Sequence, residues 1–123
     1  VLAGHGSRIY NSVYRYDPVE LEWARMDNFP GEARVAGTQF TYDGRGYLLS
    51  GDGDNHGSMR TGELWRYEPA ADDWTRLAPH PGPSRWAPGC FVIDCMLFFT
   101  SGYDRRSKKT KNDLMSYPLC TEE

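Results

Sequence analysis

One polar loop carries carboxylates at the spacing of a calcium-binding site. Asp52, Asp54 and Glu63 stand at positions one, three and twelve of this loop, and a glycine stands at position six. In EF-hand loops the same spacing gathers oxygen ligands around a hard cation. However, His56 at position five offers a nitrogen ligand that suits calcium poorly, and strand-like segments flank the loop in place of helices. We therefore predict a polar connection between two strands, with no metal and no cofactor, and keep calcium as the alternative.

A second loop contains a run of like charges, residues 105–111, with five lysines and arginines. Such a run acts as a nuclear-import signal, as a contact for an anionic partner, or as a solvated loop. A nucleic-acid site would need basic residues interleaved with stacking aromatic rings, and only Tyr103 lies nearby. We favour the solvated loop and predict no nucleic-acid partner.

The remaining polar residues form no catalytic grouping in the sequence. His5, His56 and His80 have no spaced partner that would complete a zinc site. Ser84 and Ser101 have no evident base, and neither a nucleophile elbow nor a phosphate-binding loop is found. Whether the chain is an enzyme stays open, and a non-catalytic role is favoured. His5 and His56 fall in equivalent loops, so we expect them to face one another on one rim.

The composition describes a globular protein. The 123 residues carry a formal net charge of −3, which gives no overall field to attract nucleic acid or a membrane surface. No apolar run reaches the ~20 residues of a membrane-spanning helix. We therefore expect a soluble protein with no membrane partner.

The three cysteines are predicted to be free thiols. Cys90, Cys95 and Cys120 are an odd number, which does not indicate a disulfide framework. Cys90 and Cys95 are expected to flank one arm of a tight hairpin, about 15 Å apart, which is too far to bridge. Free thiols favour a reducing compartment such as the cytoplasm, although the compartment stays open.

The elements that position these loops repeat at a step of 51 residues. Residues 16–18 recur as residues 67–69, Trp23 recurs as Trp74, and Arg34 recurs as Arg85. A period of about 50 residues, built from short apolar runs and Gly-rich turns, predicts one four-stranded blade of a β-propeller per repeat. The predicted fold is all-β, with antiparallel meanders that make between two and three blades of one propeller domain or fragment.

The blade boundaries follow from the repeat. We predict a partial blade in residues 1–29 with strands 2 to 4, a complete blade in residues 30–79, and a partial blade in residues 80–123 with strands 1 to 3. The predicted strands of the complete blade are 36–42, 47–50, 63–67 and 73–77. Those of the partial blades are 1–4, 11–16, 22–26, 89–93, 96–100 and 113–117.

The repeated residues resemble the kelch-repeat family, which includes galactose-oxidase-like propellers. The resemblance lies in the glycine that ends the second strand, the tyrosine of the following turn, a tryptophan, and an arginine after a Pro-containing loop. These positions are Gly4, Gly51, Gly102, Tyr16, Tyr67, Tyr117, Trp23, Trp74, Arg34 and Arg85. Kelch blades usually carry two glycines after the second strand, whereas here the first is Ala3, Ser50 or Ser101, so the subfamily does not follow.

The repeated side chains are expected to hold the blades together. Trp23 and Trp74 should pack between adjacent blades, and the tyrosines should add a hydroxyl hydrogen bond. Arg34 and Arg85 should bond to carbonyls of the interblade loops. The alternative for an arginine is a position facing a central channel, where it would bind an anionic ligand.

The leading functional prediction is a non-catalytic module that binds a protein through loops on the propeller rim, because the kelch resemblance implies such a use. The contact loops are residues 5–10, 52–62 and 103–112. The predicted binding residues are Arg8, Tyr10, His56, Arg60, Tyr103 and Arg105.

Two alternatives remain. The resemblance also admits a fragment of a carbohydrate-binding, galactose-oxidase-like or sialic-acid-mutarotase-like kelch protein, in which Trp65 and Trp86 would stack on sugars. The third is a self-assembling structural scaffold, because the incomplete first and last blades leave open edges that invite self-association.

Overall fold

The computed structural model describes residues 1–120, in which every regular element is a β-strand. The strands are β1 (Tyr14–Asp17), β2 (Glu22–Arg25), β3 (Thr38–Tyr42), β4 (Arg45–Leu49), β5 (Leu64–Glu68), β6 (Asp73–Arg76), β7 (Gly89–Ile93), β8 (Met96–Thr100), β9 (Tyr103–Asp104), β10 (Lys109–Thr110) and β11 (Leu114–Pro118). Within residues 1–120, no helix is long and apolar enough to cross a membrane.

The central sheet is a four-stranded antiparallel meander in the order β3-β4-β5-β6, here called unit 2. A two-residue turn joins β3 to β4, and its residues Asp43 and Gly44 have φ angles of 50° and 73°. Two consecutive positive φ angles match the twist of a hairpin, and Asp-Gly adopts them readily. The complete blade predicted from the sequence is therefore present as one sheet.

The flanking sheets are smaller. Unit 3 contains three strands in the order β11-β8-β7, and unit 1 pairs β1 with β2. The strand predicted at residues 1–4 of unit 1 is reduced to a single bridge between Leu2 and Val13. The two inner strands of unit 3 have the predicted bounds, whereas the short β9–β10 hairpin in its long loop was not predicted.

The core lies between the sheets. Val13, Phe29 and Leu48 are buried between units 1 and 2. A second cluster lies between units 2 and 3. Its buried residues are Tyr47, Leu49, Leu64, Leu97, Phe99 and Leu119. Burial of these side chains fixes the angle between neighbouring sheets, and so the positions of the loops at their ends.

The chain adopts the same strained turn after the second strand of each unit. Ser50 and Ser101 have φ angles of 63° and 66°, and the glycines that follow have φ angles of 99° and 89°. A Cβ at Gly51 would lie 2.9 Å from the Gly37 nitrogen. This geometry explains why two glycines suit the turn, and why a serine at the first position costs about 1 kcal/mol or more.

The cysteine prediction is wrong for two of the three residues. Cys95 and Cys120 form a disulfide with their Cα atoms 5.2 Å apart, and Cys90 is free. The pairing follows from the register of β8 and β11, which brings Pro118 opposite Met96. Cys120 then lies beside the β7–β8 turn. The disulfide removes the basis for a cytoplasmic location, because reducing compartments rarely preserve such bonds.

The packing role expected for the repeated tryptophans and the hydrogen bond expected for the repeated tyrosines are found in unit 2 but not in every unit. Trp74 packs between units 1 and 2, 5.0 Å from the Phe29 ring centroid, whereas Trp23 is 59% exposed. Within residues 1–120, no sheet covers the outer face of unit 1, on which Trp23 lies. The Tyr67 hydroxyl donates to Asp72 Oδ1 at 2.6 Å. Within residues 1–120, no such hydroxyl bond is found at Tyr16 or Tyr117.

Candidate functional site

The three loops expected to bind a partner meet at one end of the sheets, and together they are called the rim surface (residues 5–10, 52–62 and 103–112). Arg105 from unit 3 donates from Nε to Asp52 Oδ2 of unit 2 at 2.7 Å. The Arg105 backbone N–H also donates to Ser58 Oγ at 2.9 Å. These two bonds tie the long loop of unit 3 to the loop of unit 2.

The loops of units 1 and 2 also touch. The His5 and His56 rings lie edge to face with their centroids 5.4 Å apart. The expectation that these two histidines face one another is confirmed. His56 Nδ1 lies 3.4 Å from Asp52 Oδ2. Asp52 therefore contacts unit 3 directly through Arg105 and is linked to unit 1 through His56 and His5.

Asp52 is the buried residue that holds the rim surface together. Its side chain is fully buried, and its backbone pairs with Val35 at the entry to β3. A buried carboxylate is costly unless it is paired, which the Arg105 guanidinium provides. The other oxygen, Oδ1, has no hydrogen-bond partner among the described residues. Asp52 therefore orients Arg105 and does not itself reach the surface.

The structure does not bring the calcium candidates together. Asp52 is paired with Arg105, and Glu63 accepts a 2.7 Å bond from Arg34. Asp54 is exposed and is held by its backbone N–H, which donates to Glu32 at 2.8 Å. In residues 1–120, no group of three or more His, Cys, Asp and Glu side chains could hold a metal ion.

The Arg34 side chain is buried and has a structural role. It bonds to Glu63 and to the Ser50 carbonyl, and its guanidinium lies 4.7 Å from the centroid of the Phe29 ring. Burial lowers the pKa of Arg34, and Glu63 offsets part of that effect. Burial also acts to raise the pKa of Glu63, but hydrogen bonds from Trp65 and Arg34 outweigh it and lower that pKa.

Arg85 repeats the same arrangement one unit later. Both of its terminal nitrogens bond to Asp113 at 2.7 Å, and one also bonds to the Ser101 carbonyl. The hydrogen bonds from Arg85 lower the pKa of Asp113. The predicted bond to a carbonyl of an interblade loop is present for Arg34, which donates to Glu32, whereas the Ser101 carbonyl bonded by Arg85 lies within unit 3. Because each arginine is buried against its own carboxylate, neither is available to an anionic ligand.

Two grooves border the predicted binding residues. A cleft of about 400 Å³ brings together Trp86, Tyr103 and Arg105, with Arg105 stacked 5.7 Å from the Tyr103 ring centroid. A second groove of about 420 Å³ is lined by Arg8 and Tyr10, which lie 5.4 Å apart from guanidinium to ring centroid. The rim surface therefore presents two Arg–Tyr pairs.

The other predicted positions differ in their access to solvent. Arg60 is exposed in the same loop as His56, and it makes no ion pair within the described residues. Trp65 does not reach the rim, because its ring packs 5.0 Å from that of Phe29 and its Nε1 donates to Glu63. The prediction that Trp65 stacks on a sugar is therefore wrong, whereas Trp86 remains exposed.

A buried Ser–His contact was missed by the sequence reading. Ser50 Oγ lies 3.0 Å from His80 Nε2, and both residues are buried. The segment 79–83, in which prolines surround His80, marked a stiff connection but gave no sign of its partner. Only the packing of unit 2 against this connection brings the two side chains together.

The sheets define a partial β-propeller-like fold, in which antiparallel meanders pack face to face. The solved structure of YjhT is similar to this chain, with a TM-score of 0.66 over 85% of it and 20% sequence identity. The match covers 34% of the YjhT chain, so this chain spans about a third of that length. At this identity the likeness shows the fold alone. No family model and no curated protein matches the chain.

Proposed function

We propose that this chain is a non-catalytic binding module of the kelch-propeller type, and that a protein partner binds its rim surface. The observation that carries the proposal is the buried Asp52 carboxylate, which holds Arg105 of unit 3 and lies beside His56. It joins loops of separate units into one surface. A surface that is already ordered loses less conformational entropy when a partner binds.

The residues displayed on this surface suit a protein partner. Arg8, Arg60 and Arg105 are exposed, and Tyr10 and Tyr103 are half-buried. Arginine and tyrosine are enriched among residues that contribute most to protein–protein binding energy. The Arg–Tyr contacts also restrict these side chains before binding, which favours recognition over non-specific adhesion.

The charge of the surface points to an acidic partner. The run at residues 105–111 adds five cationic side chains to the rim, although the whole chain has a formal net charge of −3. Complementary charges raise association rates and exclude wrong partners. An acidic partner segment that also carries aromatic or apolar anchors would therefore fit best.

The buried serine supports a non-catalytic role. The Ser50 hydroxyl contacts a histidine, as the nucleophile of a hydrolase would, yet Ser50 has no solvent exposure. A substrate cannot reach its oxygen without separating units 2 and 3. The network is therefore better explained as a structural link.

A displayed peptide library provides the test. Peptides selected on the wild-type chain should be enriched in Asp and Glu. They should bind the variants R8A, R60A and Y103A at least tenfold more weakly, which corresponds to about 1.4 kcal/mol. The matched control is R45A, since Arg45 follows the β3–β4 turn at the opposite end of unit 2. Peptides that bind R45A and the rim variants equally would overturn the proposal.

A carbohydrate ligand is the second candidate, favoured by the cleft between Trp86 and Tyr103. An exposed indole beside an arginine offers a stacking face and donors for sugar hydroxyl or carboxylate groups. A glycan array on the wild-type chain should then give signals that W86A loses and R8A keeps. An array without signals would leave the protein partner as the remaining proposal.

A further inference from the structure

The short hairpin of unit 3, formed by β9 and β10, carries exposed cations at its turn. Asp104 pairs with Lys109 across the hairpin. The residues at its end are here called the basic tip (residues 106–109), and their cations Arg106, Lys108 and Lys109 are all exposed. Within residues 1–120, none of these three side chains forms an ion pair or a hydrogen bond. Their charges are therefore free to meet an external anion.

The turn is fixed by Asp104, which carries the one carboxylate of the hairpin. Asp104 is 3% exposed, and its Oδ1 accepts the backbone N–H of Arg106 at 2.8 Å. Its Oδ2 accepts the Ser107 hydroxyl at 2.9 Å. Burial acts to raise the pKa of Asp104, but the hydrogen bonds from Ser107 and Arg106 outweigh it and lower that pKa. Asp104 therefore holds the turn from inside and stays away from the exposed surface.

The base of the hairpin is bonded to the rest of the chain. Tyr103 and Trp86 exchange two backbone hydrogen bonds of 2.9 Å. Arg105 is held by Asp52 and Ser58 of unit 2, and the Asp52 carboxylate neutralises its charge. The basic tip therefore has a fixed place on the chain, and its cations are clustered before any ligand binds.

The composition of the basic tip indicates the class of ligand. It contains no aromatic or apolar side chain, so it offers neither a stacking platform for nucleic-acid bases nor an anchor for a protein interface. Closely spaced charge alone suits a linear polyanion, which releases counterions when it binds. Basic runs of this kind form heparin-binding patches. The Cys95–Cys120 disulfide is typical of oxidising compartments such as the outside of a cell, where such polysaccharides occur.

We propose that the basic tip is a binding site for a linear sulfated polysaccharide, whose sulfate groups are contacted by Arg106, Lys108 and Lys109. This site goes beyond the proposed rim function, because its three cations are not among the residues assigned to the protein partner. The chain as a whole has a formal net charge of −3, which opposes non-specific adhesion to a polyanion. Binding therefore requires a local site.

Calorimetric titration with heparin, in about 0.15 M salt, measures this binding. The variant R106Q/K108Q/K109Q should bind heparin at least tenfold more weakly than the wild type. Its plot of log affinity against log salt should be shallower by about 2, because each charge contact on a polyanion contributes close to one to that slope. The three positions are exposed, so circular dichroism should show an unchanged fold.

Two controls separate the site from charge in general. R15Q/R25Q/R45Q removes the same charge from unit 1 and from the β3–β4 hairpin, and it should bind heparin nearly as tightly as the wild type. D104N and D104A each remove one negative charge, but only D104N keeps a side-chain acceptor for the backbone N–H groups of the turn. D104N should therefore bind more tightly than D104A, and equal affinities would contradict a role for the ordered turn.

Competition identifies the class of ligand. Heparin should bind more tightly than desulfated heparin, polyglutamate or double-stranded DNA in the same buffer. No binding of heparin to the wild type, equal affinity for any of the other polymers, or unchanged affinity in R106Q/K108Q/K109Q would each overturn the proposal. Y103A should keep heparin binding while it loses the peptides selected on the rim surface. A chain that binds such peptides but not heparin would therefore exclude this site and leave the rim function intact.

Discussion

Ser50 and His80 share a 3.0 Å hydrogen bond that links unit 2 to the connection leading into unit 3. The Arg85 backbone N–H donates to the same hydroxyl oxygen at 2.6 Å. The serine hydrogen is then left to donate to His80 Nε2, and His80 Nδ1–H donates to the Pro81 carbonyl at 2.9 Å. Every donor has an acceptor only while the imidazole is neutral.

This network predicts that stability depends on the protonation of His80. Burial lowers the pKa of His80 below its ordinary value of 6.5, and the Pro81 carbonyl only partly offsets this. The unfolded chain therefore takes up a proton before the folded chain does as the pH falls. Stability should be constant above about pH 6.5 and should decrease below it, by at most about 1.4 kcal/mol per pH unit, until the folded pKa is reached.

Urea unfolding between pH 5 and pH 8 measures this slope. H80Q should be less stable than the wild type at pH 8, because it disturbs the bond to Ser50. Its unfolding free energy should decrease less than that of the wild type as the pH falls, because the contribution of His80 is gone. H5Q is the matched control, since it removes an exposed imidazole and leaves the network intact. An H80Q profile parallel to that of the wild type would contradict the assignment.

A second prediction separates the backbone role of Ser50 from its side-chain role. Ser50 and Ser101 share the strained φ, so glycine relieves the backbone at both positions. S101G should be neutral or more stable by up to about 1 kcal/mol, because the Ser101 side chain is exposed. S50G should lose about 1–3 kcal/mol, because the buried Arg85 N–H and His80 lose their partner. Thermal unfolding of both variants tests this, and equal shifts would contradict it.

The sequence predicted the sheets well because their signals are local. The strands β7 and β8 have the predicted bounds, and the Asp43–Gly44 turn lies where Asp-Gly indicated a hairpin. The contact between His5 and His56 also followed from the 51-residue repeat, because equivalent loops of neighbouring blades lie side by side.

The contacts that were missed depend on non-local geometry. The Cys95–Cys120 bond needs the register of β11 against β8, and no pattern at either cysteine specifies it. Trp23 has the same local sequence context as Trp74, and only the presence of a covering sheet makes one exposed and the other half-buried. The Asp52–Arg105 pair joins residues of different repeats whose types do not repeat.

The disulfide supplies a third prediction. Cys95 and Cys120 enclose a separation of 25 residues, for which a crosslink typically contributes about 3 kcal/mol. The double variant C95S/C120S should therefore unfold at lower urea. Added reductant should lower the unfolding midpoint of the wild type and of C90A, but not that of C95S/C120S. C90A is the control that keeps the disulfide.

Burial raises the pKa of the Cys90 thiol, so thiol reagents should label it slowly in the native chain. Labelling of three thiols without reductant would contradict the bond.

The last prediction compares two tryptophans that are equivalent in sequence and different in environment. W74A removes a ring packed against Phe29 and Tyr67, and should cost about 3–5 kcal/mol of unfolding free energy. W23A removes a ring that is mostly in water, and should cost less than about 1 kcal/mol in a monomer. Urea unfolding of both variants measures the two free energies. If W23A costs as much as W74A, the Trp23 ring is covered in the folded chain, which would contradict its exposure in the structure.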